Sequence, residues 1–451
     1  MSKAGKFFAL LPLFFYGALL FIPYQVHSQE IERRDFDSIW AHVKSNSPAI
    51  KSASLESEAA TVMKDRYSRH WLPMIYGDAK FFITDDPALN FMSVLSQRKI
   101  GNEDFSPDRL NHPGKNSYKQ ASVGVNLPLY EGGAGYYTAK SFDSIAKSKS
   151  YGRAVIVLSE KSKTMAAYGR LIALTKAANE LADLKKSVTG ILSGYESALK
   201  NNPVEYSGIL GLKALSNRID AMITENDAKI KYLRDYLQNT SAGNLPDLWT
   251  ASDSDVITFG GRYVSDKNTA IKESYQLKAL KAYAESLKHK AEAQKSVYLP
   301  KIGLFSEANV YSGNRATADS YSAGFYIQMN ILSPVEYGSV RQAEFESDAA
   351  FFKLKNEAIK EKTDIERLRN FEATLRENIK ILNESLKIMD EQLRNIKRLF
   401  ANGSVKAFQL SDVIAAKGDL LQNLAKAEEE YAEVISGIYF YTANIEEASN
   451  E

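Results

Sequence analysis

The chain has 451 residues, a formal net charge of +2, 44% hydrophobic and 25% charged residues. So small a charge gives no bulk attraction to nucleic acid. The absence of cysteine excludes disulfides, thiolate metal sites and thiol catalysis.

The first element reads as a secretory signal over residues 1–28: Lys3 and Lys6, an apolar run from Phe7 to Ile22 interrupted by Pro12 and Gly17, then Val26-His27-Ser28 as a cleavage site. An uncleaved anchor helix is the competing reading, although the run of about 16 residues falls short of the roughly 20 that span a bilayer. With no cysteine after it, a lipid anchor at this site is excluded. No later segment approaches a transmembrane helix, so entry into a membrane requires a closed β-barrel.

The 12 prolines are clustered, with none between Pro128 and Pro203, none between Pro246 and Pro300, and none after Pro334. Proline breaks helix interiors, so these gaps leave room for very long helices. About 70 helical residues would reach about 100 Å. In the last gap Leu375, Ile379, Leu382, Leu386, Met389, Leu393, Ile396 and Phe400 alternate spacings of four and three, as do Leu420, Leu424, Ala427, Tyr431, Val434, Ile438 and Tyr441. This is the seam of a coiled coil, broken by a helix stop at Ala401-Asn402-Gly403. An antiparallel helical hairpin is expected. Leu181, Leu184, Val188, Ile191, Tyr195 and Leu199 predict another, broken at Asn201-Asn202-Pro203 and resuming near Tyr206.

Four period-two runs predict strands at about 73–83, 121–131, 300–311 and 321–332. Ile75, Gly77, Ala79, Phe81 and Ile83 oppose Tyr76, Asp78 and Lys80; Val123, Val125, Leu127 and Leu129 oppose Ser122, Gly124 and Asn126. Ile302, Leu304, Ala308 and Val310 oppose Gly303, Glu307 and Asn309; Ala323, Phe325, Ile327, Met329 and Ile331 oppose Ser322, Gly324, Tyr326, Gln328 and Asn330. Such runs suit a transmembrane barrel, apolar outward and polar inward, and equally the edge of a soluble sandwich. Four strands cannot close a barrel, so a barrel needs several chains.

The order helix, strand, loop, strand, long helix, turn, helix occurs twice. Ser47-Pro48-Ala49-Ile50-Lys51 matches Ser274-Tyr275-Gln276-Leu277-Lys278, and Trp71-Leu72-Pro73 matches Tyr298-Leu299-Pro300, both 227 residues apart. Val125 to Tyr130 pairs with Ile327 to Leu332, and Ser207-Gly208-Ile209-Leu210 with Ser411-Asp412-Val413-Ile414. This divides the chain into the signal, a first repeat over 29–240, a linker or equatorial segment over 241–267, and a second repeat over 268–451. The first strand–strand loop, about 84–120, is far longer than the second at 312–320. It carries Phe91, Met92, Leu95, Phe105 and Leu110, and either folds on a barrel rim or lids a pore mouth.

Signals for catalysis are weak. The five histidines lack metal-binding helical spacing, Asp253 and Asp255 recur without the other ligands of a calcium loop, and no nucleophile elbow or phosphate-binding loop is present. Gly132-Gly133-Ala134-Gly135 suits a corner from strand to helix better than an anion site. The chain is read as a non-enzyme without cofactor or metal.

The chain resembles the TolC-like outer membrane efflux proteins over nearly its whole mature length. The resemblance rests on the duplication, on Leu-Pro before the first strand of each half, on Pro128-Leu129-Tyr130-Glu131-Gly132-Gly133 after the second strand, and on Asp412-Val413-Ile414-Ala415-Ala416 opening the helix after the second turn. It implies a mainly α fold with a β-barrel: long antiparallel coiled-coil helices and four transmembrane strands per protomer, internally duplicated, in a homotrimer sharing one twelve-stranded barrel. It implies a passive export conduit, for efflux or type I secretion, lying in outer-membrane lipid with its helices in the periplasm. A periplasmic adaptor (membrane fusion) protein and an inner-membrane pump of RND, ABC or MFS type would drive it; nucleic acid is not expected. It places adaptor-docking tips at Asn201, Asn202, Pro203, Asn402, Gly403 and Ser404, a periplasmic constriction at Asp412, and barrel-to-helix corners at Pro128, Gly132, Gly133 and Pro334. Asp412 also reads as an acid near a helix N-terminus, complementing the dipole. The alternatives for the whole chain are a structural or adhesive coiled-coil envelope protein and the adaptor itself.

Overall fold

The computed structural model describes residues 32–195, 203–243, 245–246, 249–264 and 273–443. The predicted signal over 1–28 and the tip residues Asn201 and Asn202 lie outside them.

The chain begins with a short strand β1 (Glu32–Arg34) and helices α1 (Phe36–Asn46) and α2 (Pro48–Tyr67). Next come β2 (Met74–Thr84), α3 (Pro87–Ser96), a 3-10 turn at Asn102–Phe105, α4 (Pro107–Asn111) and β3 (Asn116–Glu131). Two long helices follow, α5 (Ala134–Tyr195) and α6 (Pro203–Thr240), then β4 (Trp249–Ala251) and α7 (Val256–Gly261). The second half runs α8 (Tyr275–Lys295), β5 (Lys301–Gly313), β6 (Thr317–Gln328), α9 (Ser339–Ala401) and α10 (Ala407–Thr442). The repeat is visible in these bounds. α2 and α8 begin 227 residues apart, as do β2 and β5, while α6 and α10 begin 204 apart. With 62 and 63 residues, α5 and α9 each extend about 95 Å.

The duplication reaches individual buried side chains. Ser47, ahead of α2, donates its hydroxyl to Glu160 of α5 at 3.4 Å; Ser274, at the same point ahead of α8, donates to Glu361 of α9 at 2.6 Å. All four residues are buried. The serines were legible as a matched pair, whereas the glutamates sit mid-helix with no local signal.

β2, β3, β5 and β6 form one antiparallel sheet in that order, with β2 and β6 as its edges. The helices beneath keep the same lateral order: α2 packs on α5, α5 on α8, and α8 on α9. α5 serines fix one seam, with Ser141 and Ser148 donating to the Ser286 and Ala279 carbonyls of α8 at 2.9 and 2.8 Å.

Two strand bounds are corrected. The last strand runs over Thr317–Gln328, not 321–332. The tight turn in which Gly313 N–H donates to the Ala316 carbonyl at 3.2 Å sets Thr317 opposite Ser312, and the ladder ends where Lys301 meets Gln328. Met329, Ile331 and Leu332 continue the alternation in sequence but have no partner strand and are exposed. In the segment about 84–120, expected to fold on a barrel rim or lid a pore mouth, α3, the 3-10 turn and α4 precede β3, which starts at Asn116 rather than near 121. β4 pairs in parallel with β1, and Trp249 and Phe259 are buried in a core with Phe36, Ile39, Tyr168, Leu171 and Tyr431.

The coiled-coil seam is real but too narrow. Leu375, Ile379, Leu393 and Phe400 are buried, with Leu382, Leu386, Met389 and Ile396 packed beside them. α10 buries a broader face, including Leu410, Ile414, Leu421, Leu424, Tyr431 and Ile435, because it contacts α5 and α6 as well as α9. That is a bundle rather than a two-helix seam.

Candidate functional site

Register sorts the sheet into two faces, because directly opposed residues point the same way. One face carries the rows Leu127–Leu304–Phe325, Gly77–Val123–Ala308–Tyr321 and Ala79–Ala121–Val310. It is mainly apolar and open, although Asp319 ends the Val310 row on β6, with Phe325, Val123 and Ile75 all more than half exposed. From Ile302 to Val310 this face runs along about 27 Å of strand, close to the height of the apolar band on a transmembrane barrel. The opposite face carries Tyr76–Gly124–Glu307–Ser322 and Asp78–Ser122–Asn309–Ser320.

The polar face is internally bonded. The Tyr76 hydroxyl crosses β3 above Gly124 and donates to Glu307 on β5 at 2.8 Å, and Asn309 Nδ2 donates to the other Glu307 oxygen at 2.9 Å. A Cβ at Gly124 would overlap the Tyr76 ring. Likewise Tyr326 lies across Gly303, its hydroxyl donating to Asn126 at 3.3 Å. Lys80 pairs with Asp78 at 3.3 Å. Gly124, Gly303 and the two tyrosines were predicted to share one polar side of the strands; that the rings lie flat across the glycines was not legible.

The corner residues sit where sheet becomes helix. β3 is bulged between Pro128 and Tyr130, where proline's missing donor costs nothing. Gly132 and Gly133 then take φ +66° and +85°, left-handed values that glycine adopts at no steric cost. Gly132 also packs 2.8 Å, measured to a built Cβ, from the Leu299 Cβ at the matching entry of the other half. In that half Pro334 opens a 3-10 turn, and Gly338 at φ +86° immediately precedes α9 as Gly133 precedes α5. Gly338 was not singled out in the sequence, since its hairpin carries one glycine rather than two.

At the far end the second tip closes α9 with paired bonds: Gly403 N–H donates to the Phe400 carbonyl at 3.0 Å and Ser404 N–H to Leu399 at 2.9 Å. Gly403 has φ +73°. This is the Schellman arrangement, which needs a left-handed residue at that point. Asn402 caps α9. Gln409 Oε1 accepts from Lys406 N–H at 2.9 Å and starts α10. α10 therefore begins at Ala407, not at Asp412. Asp412 is exposed, beyond the first helical turn, beside buried Leu410, Val413 and Ile414. It does not sit where an acid complements the helix dipole. Pro203 begins α6.

Several charges inside the helical bundle are paired. A cleft of about 170 Å³ between α5, α9 and α10 is lined by Lys176, Glu180, Lys387, Asp390, Lys417 and Glu428. Lys176 binds Glu428 at 2.7 Å and Lys417 binds Asp390 at 2.6 Å. Burial pushes the Glu428 carboxyl up against the pull of Lys176, and burial, reinforced by Lys417, pushes Lys397 down. Asp253 accepts from the Tyr168 hydroxyl at 3.0 Å and pairs with Arg262, and Asp255 caps α7 through Thr258 N–H at 2.7 Å. Both have structural partners. Among the described residues no cluster of three metal-binding side chains occurs, and no helix is long and apolar enough to cross a membrane.

A sheet with one apolar and one polar face, carried on long helices in matching lateral order and duplicated within the chain, defines the fold of the TolC-like outer-membrane channels. The chain is similar in structure to CusC, whose crystal structures bear on the conformational changes accompanying folding and transmembrane channel formation, with TM-score 0.76, 10% identity and coverage of 90% of this chain and 91% of that one. It is similar to the outer membrane channel MtrE of Neisseria gonorrhoeae in its open state (TM-score 0.75, 13% identity, 90% and 88% covered). It is also similar to the outer membrane channel CmeC of Campylobacter jejuni (TM-score 0.72, 14% identity, 90% and 85% covered). No family profile matches the sequence, and no curated protein matches it.

Proposed function

We propose that this chain is the subunit of a homotrimeric outer-membrane channel that exports cargo passively from the periplasm or from a pump. The observation that carries this reading is the two-faced sheet with unpaired edges. β2 and β6 each offer an open row of backbone groups, and an open edge invites another strand. The exposed apolar face suits lipid, and so large a patch is otherwise an aggregation liability. Three copies joined edge to edge supply twelve strands, enough for a barrel whose polar faces line the lumen. The helical layer has the same open edges: α2 leaves Leu55 and Val62 exposed, and α9 leaves Phe345, Phe352 and Ile359 exposed. Closing the sheet would close the helices into a tunnel below it, reaching about 95 Å into the periplasm.

In this reading Pro128, Gly132, Gly133 and Pro334 turn barrel into tunnel. The tips at Asn201 to Pro203 and Asn402 to Ser404 dock a periplasmic adaptor, which joins the channel to an inner-membrane pump of RND, ABC or MFS type. Asp412, exposed beside the second tip, gives a threefold carboxylate ring that focuses negative potential across the narrow end. Electron microscopy of detergent-extracted outer-membrane protein tests the assembly. Hollow threefold cylinders are expected. Solid rods, or a monomer absent from that fraction, overturn the channel in favour of an envelope coiled coil.

A further inference from the structure

The segment between β2 and β3 folds back across the end of the sheet remote from the helices, and it does so on the polar face. Phe82, Tyr118 and Gly313 form one row there, on the same face as Tyr76, Gly124 and Glu307. Asn90 of α3 accepts from the Tyr118 hydroxyl at 2.7 Å and from Asn116 Nδ2 at 2.9 Å. Gln97, capping α3, lies over Gly313, where a built Cβ would come within 2.6 Å of its amide nitrogen. Its Oε1 accepts from the Arg315 and Ala316 N–H groups of the β5–β6 turn at 3.3 and 3.1 Å.

Arg315 completes the attachment. Its guanidinium donates two parallel bonds of 2.6 Å to the Asp104 carboxylate and a third of 3.1 Å to the Lys99 carbonyl. Gly101 N–H also donates to Asp104 at 2.8 Å, and Arg109 stands 3.7 Å away. Bidentate pairs of this kind are the strong, geometrically specific ones. Arg98 reaches the Asp319 carbonyl of β6 at 2.8 Å. The segment is thus rooted between β2 and β3, yet clasped to the hairpin on the other side of the sheet. Its α3 carries Leu89, Met92 and Leu95 three residues apart, each about half exposed.

We propose that α3 and α4 form a latched hydrophobic gate across the outer mouth of the channel, with Asp104–Arg315 as the latch and the Leu89, Met92 and Leu95 stripes of three copies as the seal. This rests on the channel reading. Twelve strands make a wall roughly 18–24 Å across, allowing for tilt. Three helices, each about 10 Å wide and lying against the inner face, fill that width. An apolar constriction also excludes ions by dewetting. The contact of the three stripes covers apolar surface that the segment otherwise leaves in water.

A single introduced thiol tests this, since the chain has no cysteine of its own. Ser322 is exposed on the polar face of β6, in the Glu307 row and deeper than the gate, and Ser322→Cys puts the thiol there. Intact cells are treated with a maleimide on a polyethylene glycol chain too large for general porins, so that it reaches the introduced thiol only through the outer mouth. Labelling is expected to be slow in the otherwise unaltered channel, and about ten-fold faster with Asp104→Asn or Arg315→Ala, as loss of a charged bidentate pair implies. A variant joining 87 to 111 by a short Gly-Ser link should label fastest. Leu89→Ser, Met92→Ser and Leu95→Ser together, which leave the latch intact, should also accelerate it. Equal, fast labelling with and without residues 87–111 overturns the gate and leaves the channel standing. No labelling in any variant, with trimers present in the outer membrane, overturns the channel reading and the gate with it.

Discussion

A Cβ built on Gly208 would lie 2.7 Å from the Cβ of Ala407, so the second arms of the two hairpins, α6 and α10, meet at their tips with no room for a side chain. Ala407 is the first residue of α10 and is buried. Its neighbours Leu410 and Ile414 pack with Leu212 and Leu215 in a cluster separate from the equatorial core. Beside the tips, α6 and α10 are therefore joined by this close contact.

Gly208→Val should open it. Overpacking of this kind costs about 1–3 kcal/mol, and here the obstruction is a neighbouring Cβ rather than a flexible side-chain end. Amide exchange is expected to rise about ten-fold across 208–216 and 407–415, while the buried stretch at 165–172 stays protected. Unchanged exchange at the tips would mean that the arms do not depend on this approach.

The buried Ser274–Glu361 pair gives a pH dependence. Burial raises the Glu361 carboxyl above its ordinary 4.5, outweighing the bond from Ser274, and Glu273 adds to the rise. The folded chain thus favours the protonated carboxyl. Its contribution is complete below the unfolded value and is lost as pH rises through the folded one. Glu361→Gln keeps an oxygen for Ser274 and never ionises. It should raise the melting temperature of the purified protein at pH 7–8 by about 2 °C and lose that advantage near pH 4. A gap that is constant with pH, read by scanning calorimetry, would remove ionisation of Glu361 as its cause.

The strands, the corners and the second tip were legible because each is a local problem. Alternation sets the faces of Ile75 and Tyr76, and glycine marks the left-handed positions at Gly133 and Gly403. The end of β6 was misplaced because hydrophobic alternation continues through Ile331, while pairing stops with its partner at Lys301. Glu160, Glu361, Asp104 and Arg315 escaped notice for a different reason. Each acquires its meaning from a partner tens to hundreds of residues away, and a charged residue in a helix or turn reads by itself as solvated. Asp412 was placed one turn too near the start of its helix. The capping bond from Lys406 N–H to Gln409, which begins α10 earlier, carries no strong residue signature.

Asp412 is expected to set ion preference at the narrow end. Three carboxylates on a threefold axis favour cations and repel anions, and salt screens exposed charge within about 10 Å at 0.1 M. Asp412→Ala trimers in a planar bilayer should show the cation-to-anion permeability ratio falling at least about two-fold at low salt, with little change near 1 M. Selectivity equal to that of the unaltered protein at every salt concentration would assign the residue to the helix surface alone.

The open edges of the sheet make a prediction about which residues meet between copies. Within one chain β2 and β6 are separated by β3 and β5, about 14 Å at ordinary strand spacing, so no disulfide can join them internally. Ala79 lies on the apolar face of β2, and Asp319, Tyr321, Ala323 and Phe325 lie on the same face of β6. With Ala79→Cys fixed and cysteine moved along 319–325, oxidation should produce covalent dimers and trimers on non-reducing gels. It should do so only at one or two of those four positions, and never at 320, 322 or 324, where a cysteine would point to the polar face. That alternation follows from the pleat and holds whatever the register between copies. Cross-linking at adjacent β6 positions alike would mean random collision in detergent, and none at any position would mean that β6 of one copy does not pair with β2 of the next.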